Sequence, residues 1–536
     1  MGGRRAVEGL PRRLPGLRRA RASLLPESVP GGLEELNLTQ RLNTRTLLLG
    51  GVLIVIASLF ATAEQDPDFW WHIRIGRWMA DNHRLPSTDI FTYTVPNHVW
   101  TDHEYLTEIL MWLVYNSAGT VGIAIAFGVI TWLGFWLMYR QVRRQPFVIV
   151  GLGLALAAIV GDPIWGPRAQ MITFALTCLE LYWLQGYLSG RSRMLMYFPL
   201  VMAVWANLHG GWVIGFVWLG TALASELVMW ALDRANPAHW AHLKFLGIIT
   251  AASALAVLAT PHGLSVYLYP FNTVGSVAQE KLIVEWFSPD FHQRYLLPFE
   301  AMILIMIGGF ALRRPSLYEF LLFIASLALA LQSVRNVALF VAATTPVLIN
   351  TYGAWWREFA ASRKWKLETP ARPAFAAVTA FALVVITAAT VIHVTGDINP
   401  DKQASLDASS YPVGAADWLA AHPDVGSRMY NQYGWGGYLA NRFYPQPNRR
   451  VFIFGEAALM GDDLLNKYED VQTLRPDWKQ VLDDCQVDYI VYNRGEALAN
   501  VLAGQSDWQL VYSDSVAVIY VRHVNWVAPP HCLSPA

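Results

Sequence analysis

Two acidic clusters near the start of the chain hold the residues best suited to chemistry. The first lies in Glu64-Gln65-Asp66-Pro67-Asp68-Phe69-Trp70-Trp71-His72, the second in Trp100-Thr101-Asp102-His103-Glu104. Asp66 and Asp68 stand two residues apart where an apolar run ends. Carboxylates so spaced can share a divalent cation, Mg2+ or Mn2+, and one alone can take a proton from an attacking hydroxyl. A solvated helix end stopped at Pro67 has the same pattern. Asp102 opens the apolar stretch Tyr105–Tyr115 and suits a helix cap, a ligand or both. Between the clusters, Trp71, Ile75, Trp78 and Met79 share one helical face, with His72, Arg74, Arg77 and Asp81 on much of the rest. That predicts an amphipathic helix lying in a membrane interface, its basic residues meeting lipid phosphates or only headgroups.

Other polar groups recur between later apolar runs. Asp162 and Arg168 lie in Gly161-Asp162-Pro163-Ile164-Trp165-Gly166-Pro167-Arg168, and Asn207 and His209 in Asn207-Leu208-His209-Gly210-Gly211. His262, Glu285 and Arg335-Asn336 follow. Singly, each reads as a loop polar group, and His209 beside two glycines reads as a histidine satisfied by backbone. Together they deliver acids, imidazoles and guanidinium groups to one face, as a site for a charged head group requires. Arg74, Arg168, His209 and Arg335 are candidate phosphate contacts, since guanidinium matches phosphate oxygens in pairs. His72, His103, Glu104, Asn207 and Glu285 complete the expected substrate-binding set. Glu180, in the middle of an apolar run, fits helix packing instead.

The elements that must position these residues are membrane-spanning. The chain has 536 residues, 54% hydrophobic and only 15% charged, where a soluble protein carries about 25% charge. Apolar runs at 46–63, 120–139, 147–161, 169–187, 194–208, 211–232, 243–260, 298–312, 316–332, 336–351 and 374–395 predict about eleven spans. Those near the short end need little tilt or a thinned bilayer. Basic residues alternate between loops: Arg140, Arg143 and Arg144; Arg191 and Arg193; Arg234 and Lys244; Arg313 and Arg314; then Arg357, Arg363, Lys364, Lys366 and Arg372. Cytoplasmic loops collect such charge. The N-terminus is therefore expected inside, the first loop 64–118 outside, and residues 397–536 outside. The segment 1–45, with nine Arg and four Pro, reads as a disordered basic cytoplasmic tail and not a secretory signal. Zero net charge implies no bulk attraction to nucleic acid.

After residue 397 the apolar runs shorten to strand length, at Arg428–Asn431, Val451–Phe454, Val487–Tyr492 and Val516–Val521. Helical patterns lie between them, at Gly414–Ala421, Asp462–Thr473, Asp477–Cys485 and Ala497–Ala503. This predicts a small α/β domain. Gly434-Trp435-Gly436-Gly437 lacks the spacing of a nucleotide loop and reads as a backbone turn against a packed aromatic. Of the three cysteines, only Cys485 and Cys532 could pair within that domain.

The first span ending in an acid, the interfacial helix, the large first outer loop and the outer C-terminal domain resemble the GT-C superfamily of membrane glycosyltransferases. Its members include protein O-mannosyltransferases, aminoarabinose transferases and oligosaccharyltransferase catalytic subunits. More narrowly, the two acidic clusters, Asn207-Leu208-His209-Gly210-Gly211 and Tyr433-Gly434-Trp435-Gly436-Gly437-Tyr438 resemble a group of bacterial membrane proteins over most of residues 46–522. The resemblance implies a polyprenyl-phosphate-linked or diphosphate-linked sugar donor. It matches the superfamily's first acidic position to Asp66 or Asp68, and a second to Asp102 or Asp162. Where the narrower group often has Asp-Gly-Arg, this chain has Phe454-Gly455-Glu456, which weakens any charge-based role for the outer domain. The expected protein is thus a polytopic α-helical inner-membrane glycosyltransferase acting at the outer face. Asp66 is its base or metal ligand, supported by Asp68 and Asp102. A transporter or flippase, or a non-catalytic scaffold of the same fold, are the competing readings. Transporters usually place polar residues at mid-bilayer, whereas most acids here flank the apolar runs.

Overall fold

The computed structural model describes residues 44–60, 66–365 and 373–522 together with Cys532. The expected basic tail lies outside these residues, except for Thr44 and Arg45. Helix α1 (Thr44–Phe60) is followed by α2 (Phe69–Asn82), α3 (Tyr105–Val142), α4 (Phe147–Val160), α5 (Gln170–Leu188), α6 (Phe198–Leu208), α7 (Val213–Leu232) and α8 (Pro237–Val257). The short α9 (Ser265–Val274) and α10 (Val277–Leu282) precede α11 (Leu297–Leu312), α12 (Leu317–Gln332), α13 (Val337–Ser362) and α14 (Pro373–Asp397). Each of the expected spans falls on one of these helices. Among the described residues, 6 helical segments are long and apolar enough to cross a membrane.

Packing explains the arrangement. Helix α13 is buried almost continuously from Val337 to Ile349 and forms the hub of the bundle. Helix α4 approaches it at Gly153, where a side chain would meet Ile349 at 2.4 Å. Helix α14 lies at the periphery beside α1, with Val378, Phe381 and Ile392 60%, 71% and 72% exposed. Apolar exposure on that scale belongs against lipid. Helix α3 runs for 38 residues but kinks at Gly119, whose φ of 61° favours glycine. The kink separates Tyr105–Ala118 from the apolar stretch expected to span.

The loops sort to two ends of the bundle. Arg168 meets Asp66 and Glu285 at one end, where His262 Nε2 also contacts the Asp102 carbonyl at 2.6 Å. At the other end Arg45 donates to the Arg143 carbonyl, and Gln145 donates to Asn350 at 2.7 Å. The acidic clusters and the basic loops are thus on opposite ends.

The C-terminal domain comprises α15 (Pro400–Ser410), α16 (Val413–Ala421), β1 (Met429–Asn431), α17 (Gly436–Phe443), α18 (Ala457–Met460), α19 (Asp462–Gln472), α20 (Trp478–Asp484), β2 (Tyr489–Asn493), α21 (Ala497–Leu502), β3 (Gln509–Ser513) and β4 (Ala517–Val521). The sheet order is β1-β2-β4-β3. Strands β1 and β2 are parallel, while β4 runs antiparallel to both β2 and β3. A disulfide joins Cys485 to Cys532.

Two expectations are corrected here. Residues Val451–Phe454 are fully buried but are not a sheet strand. Their backbone is instead met by a side chain: Asn431 Oδ1 accepts from Phe452 N at 2.8 Å, and Asn431 Nδ2 donates to the Ile453 carbonyl at 2.9 Å. The first loop takes the rest, with Val451 N donating to the Phe91 carbonyl and Thr94 Oγ1 to the Phe452 carbonyl. The fourth strand is β3, an exposed edge strand with little apolar alternation to mark it. Helix α2, expected as an amphipathic helix with one apolar face, is buried on both sides, between α3 and α17. A side chain at Gly76 would meet the Glu108 carbonyl at 2.1 Å, and one at Gly437 would meet Trp71 at 3.0 Å. The glycine-rich turn therefore does pack against an aromatic.

Candidate active site

The site lies where the first loop, the ends of α3, α5 and α6, and the C-terminal domain converge. Asp66 precedes α2, and its Oδ1 accepts from Asp68 N at 2.8 Å. Its Oδ2 faces Arg168 Nε at 3.0 Å, and Arg168 Nη1 reaches Glu285 at 2.5 Å. Burial opposes the Arg168 charge, but Asp66 and Glu285 more than offset it and raise its pKa. Asp68 accepts from Trp71 Nε1 at 3.0 Å. Burial, with the Asp66 carboxylate beside it, pushes Asp68 up to about 8, so it is protonated at neutral pH. Gly455 makes this approach possible, since a Cβ there would lie 1.6 Å from Asp68 Oδ1.

Glu104 is the centre of a second group. Its Oε1 lies 3.2 Å from His103 Nε2 and 3.3 Å from His209 Nε2, and its Oε2 lies 3.7 Å from His72 Nε2. Burial would raise Glu104, but His209, His103 and His72 hold it well below the usual carboxylate range. Gly211 N donates to His209 Nδ1 at 2.9 Å, so the His209 proton sits on Nε2 and points at Glu104. Trp205 Nε1 donates to Thr173 Oγ1 at 3.0 Å, and Thr173 Oγ1 contacts His209 Nδ1 at 2.7 Å. Burial depresses His209 to about 4 and also lowers His72. Burial pulls His103 down as well, but its hydrogen bond to Glu104 leaves it raised. His103 stacks on Tyr269 at 3.9 Å. Asp102 is raised by burial, and Glu108 lies behind the cluster with its Oε1 2.9 Å from His72 Nδ1. Asp102 Oδ1 also accepts from Glu104 N at 3.2 Å, fixing the turn before α3.

The C-terminal domain adds Glu456, at the head of α18 and 7% exposed. Burial raises Glu456 to about 7, opposed by His103 and reinforced by Glu104 and Asp102. Among the described residues it ion-pairs with no guanidinium or ammonium group. The sequence carries no signal for it, because it lies far along the chain in a short turn, within Phe454-Gly455-Glu456.

Asp66, Asp68, His72, Asp102, His103, Glu104, Arg168, His209 and Glu285 are thus brought together. Arg335 lies close enough to depress His209 further. It pairs with no carboxylate among the described residues, and its guanidinium lies 5.6 Å from the Trp286 ring centroid. Arg74 is elsewhere, bound to Asn441 Oδ1 at 3.1 Å and the Asn441 carbonyl at 2.6 Å. Asn207 ties elements together: it accepts from Tyr105 at 2.5 Å and donates to the Ala203 and Ala259 carbonyls. Glu180 is fully buried on α5 with neither oxygen hydrogen-bonded, apart from this cluster.

Of the Asp66–Asp68 pair expected to share a divalent cation, Asp66 is paired with the Arg168 guanidinium, and burial raises the Asp68 carboxyl. Among the described residues, the acid–imidazole group with ligand atoms close enough for a metal is Glu226, His239 and His242.

No model of a known protein family matches the sequence, and no curated protein matches it. Solved structures do resemble it. ArnT from Cupriavidus metallidurans bound to undecaprenyl phosphate has 12% identity and a TM-score of 0.48, over 90% of this chain and 98% of that one. Its apo state gives 14% and 0.49, over 88% and 96%. The archaeal oligosaccharyltransferase AglB from Archaeoglobus fulgidus, in complex with an inhibitory peptide and a dolichol-phosphate, gives 13% and 0.49, over 91% and 75%. A likeness at these values decides neither activity nor substrate.

Proposed function

We propose that the protein transfers a glycosyl group from a polyprenyl-phosphate-linked donor to a hydroxyl acceptor, at the outer face of the cytoplasmic membrane. The observation that carries this reading is Glu456, a carboxyl 7% exposed that the C-terminal domain brings to the acid–imidazole cluster, where burial raises it to about 7. A general base works best with a pKa near the working pH. In this reading Asp66, paired with Arg168, holds that guanidinium in place. The acceptor hydroxyl gives its proton to Glu456 as its oxygen bonds the anomeric carbon. The bond from that carbon to the phosphate oxygen breaks, and polyprenyl phosphate leaves. Arg168 and Arg335 meet the charge that develops on the phosphate, as preorganised donors do. Protonated Asp68 donates a further hydrogen bond there.

Sidedness is part of the proposal. The basic loops lie at the end remote from the site, as cytoplasmic loops do. The Cys485–Cys532 disulfide suits an oxidising compartment. The test is Glu456→Gln. Transfer should fall at least ~100-fold with membrane insertion unchanged. Wild-type kcat/KM should rise with pH through about 7, and the variant should lack that limb. Unaltered turnover in Glu456→Gln would reject this carboxyl as the base.

A further inference from the structure

The end of the bundle remote from the site carries a second constellation. Helices α7 and α8 form a hairpin whose turn is set by Asn236, its Oδ1 accepting from Ala238 N at 3.1 Å, with Pro237 opening α8. His239 and His242, three residues apart in the first turns of α8, share a helix face. They meet Glu226 of α7. His239 Nδ1 is 2.7 Å and His242 Nδ1 3.2 Å from the same oxygen, Glu226 Oε2. All three ligand atoms lie within 4.8 Å of one another. The buried His242 Nδ1 makes no well-formed hydrogen bond, and its ring is walled by Tyr187 at 5.2 Å. Two imidazole nitrogens and a carboxylate oxygen converging on one point make the mixed nitrogen and oxygen ligand set that a transition-metal ion takes.

We infer that Glu226, His239 and His242 form a binding site for one divalent transition-metal ion of the Zn2+ class. Tetrahedral bonds of about 2.1 Å set ligand atoms roughly 3.4 Å apart, so small side-chain rotations suffice. Two imidazoles select such ions over Mg2+ and Ca2+. Three protein ligands leave a coordination position open. Glu226 also lines a cavity of about 420 Å³, bordered by Ser225, Ser316, Glu319 and Asn350, into which a fourth ligand can fit. The ion would pin α7 to α8 at the basic end of the bundle, whatever reaction occurs at the other.

The test is a Co2+ titration of the chelator-treated full chain in lipid nanodiscs. One equivalent should bind with visible absorption, be displaced by Zn2+ and be unaffected by Mg2+. The His239→Ala, His242→Ala double variant should lose that equivalent. Glu226→Gln, which keeps a hydrogen bond to the imidazoles, should bind at least ~10-fold more weakly. The Glu104→Gln variant, at the distant imidazole cluster, should retain the equivalent. No Co2+ uptake by the wild type, or uptake lost in Glu104→Gln and kept in the double variant, would overturn the assignment.

Discussion

Asp68 and Glu456 are acids that the folded chain keeps from ionising at the pH where a free carboxylate would. Burial raises Asp68 from 3.8 to about 8 and Glu456 from 4.5 to about 7. Between the unfolded and folded pKa values, the native state holds protons that the unfolded chain has released. Stability should therefore fall as pH rises from about 4 to about 8. Asp68→Asn removes the larger part of this penalty. Its melting temperature should match or exceed that of the wild type at about pH 8.5, with the advantage shrinking by about pH 5. Thermal unfolding across that range checks it. A wild type that gains on the variant as pH rises would mean that the site stabilises Asp68 as an anion. Most of the site was legible at this scale because its members flank apolar runs at alternate loops: Asp66, Asp68, Asp102, His103, Glu104, Arg168, His209 and Glu285 need only a sidedness rule to be grouped. Glu456 and Arg74 show the limit of that rule. The rule groups loop residues by face, but only tertiary packing brings Glu456 in from the C-terminal domain and turns Arg74 towards Asn441.

Helices announced themselves through length and apolarity, and the alternation of basic loops ordered them. The glycines that permit close approach did not, because their reason is a partner far away in sequence. Gly455 is the sharpest instance. A methyl group there would sit 1.6 Å from Asp68 Oδ1 and 3.1 Å from Trp71 Nε1. Gly455→Ala must displace the Asp68 carboxyl and break its hydrogen bond to the indole. Overpacking of this kind costs about 1–3 kcal/mol, and misplacing a reacting group by an ångström costs about 100-fold in rate. The variant should thus fold with a modestly lowered melting temperature and lose most transfer. Normal transfer in a folded Gly455→Ala would show that the Asp68 position is irrelevant to the reaction. The segment Val451–Phe454 departs from its sequence pattern for a related reason. Its apolar run has strand length, but Asn431 and the first loop take its backbone hydrogen bonds, and no sequence period encodes a side chain that substitutes for a strand.

The described residues form a helical bundle whose larger acid–imidazole cluster lies at one end, roofed by an α/β domain that shares its core with the first loop. Trp71 and Phe91 pack against Phe454 at 5.6 Å and 5.3 Å, so loop and domain close over the site together. The proposed orientation puts this end outside. Cysteine labels at positions 144, 193 and 314 should be reached only from the cytoplasm, and a label at Asn441 only from outside. The Cys485–Cys532 bond should form in the exported domain and appear as a mobility shift on reduction. A cytoplasmic Asn441 would reverse the orientation and remove the site from any outward-facing donor.

The central claim, that this cluster discharges a lipid-phosphate sugar donor, is tested most directly by mass spectrometry of polyprenyl-phosphate-linked sugars in membranes. The comparison is a deletion strain carrying the wild type, Glu456→Gln or no copy. The account predicts that one sugar-loaded polyprenyl phosphate accumulates in the deletion and Glu456→Gln strains and is discharged by the wild type. The same lipid-linked sugar pool in all three strains would contradict it.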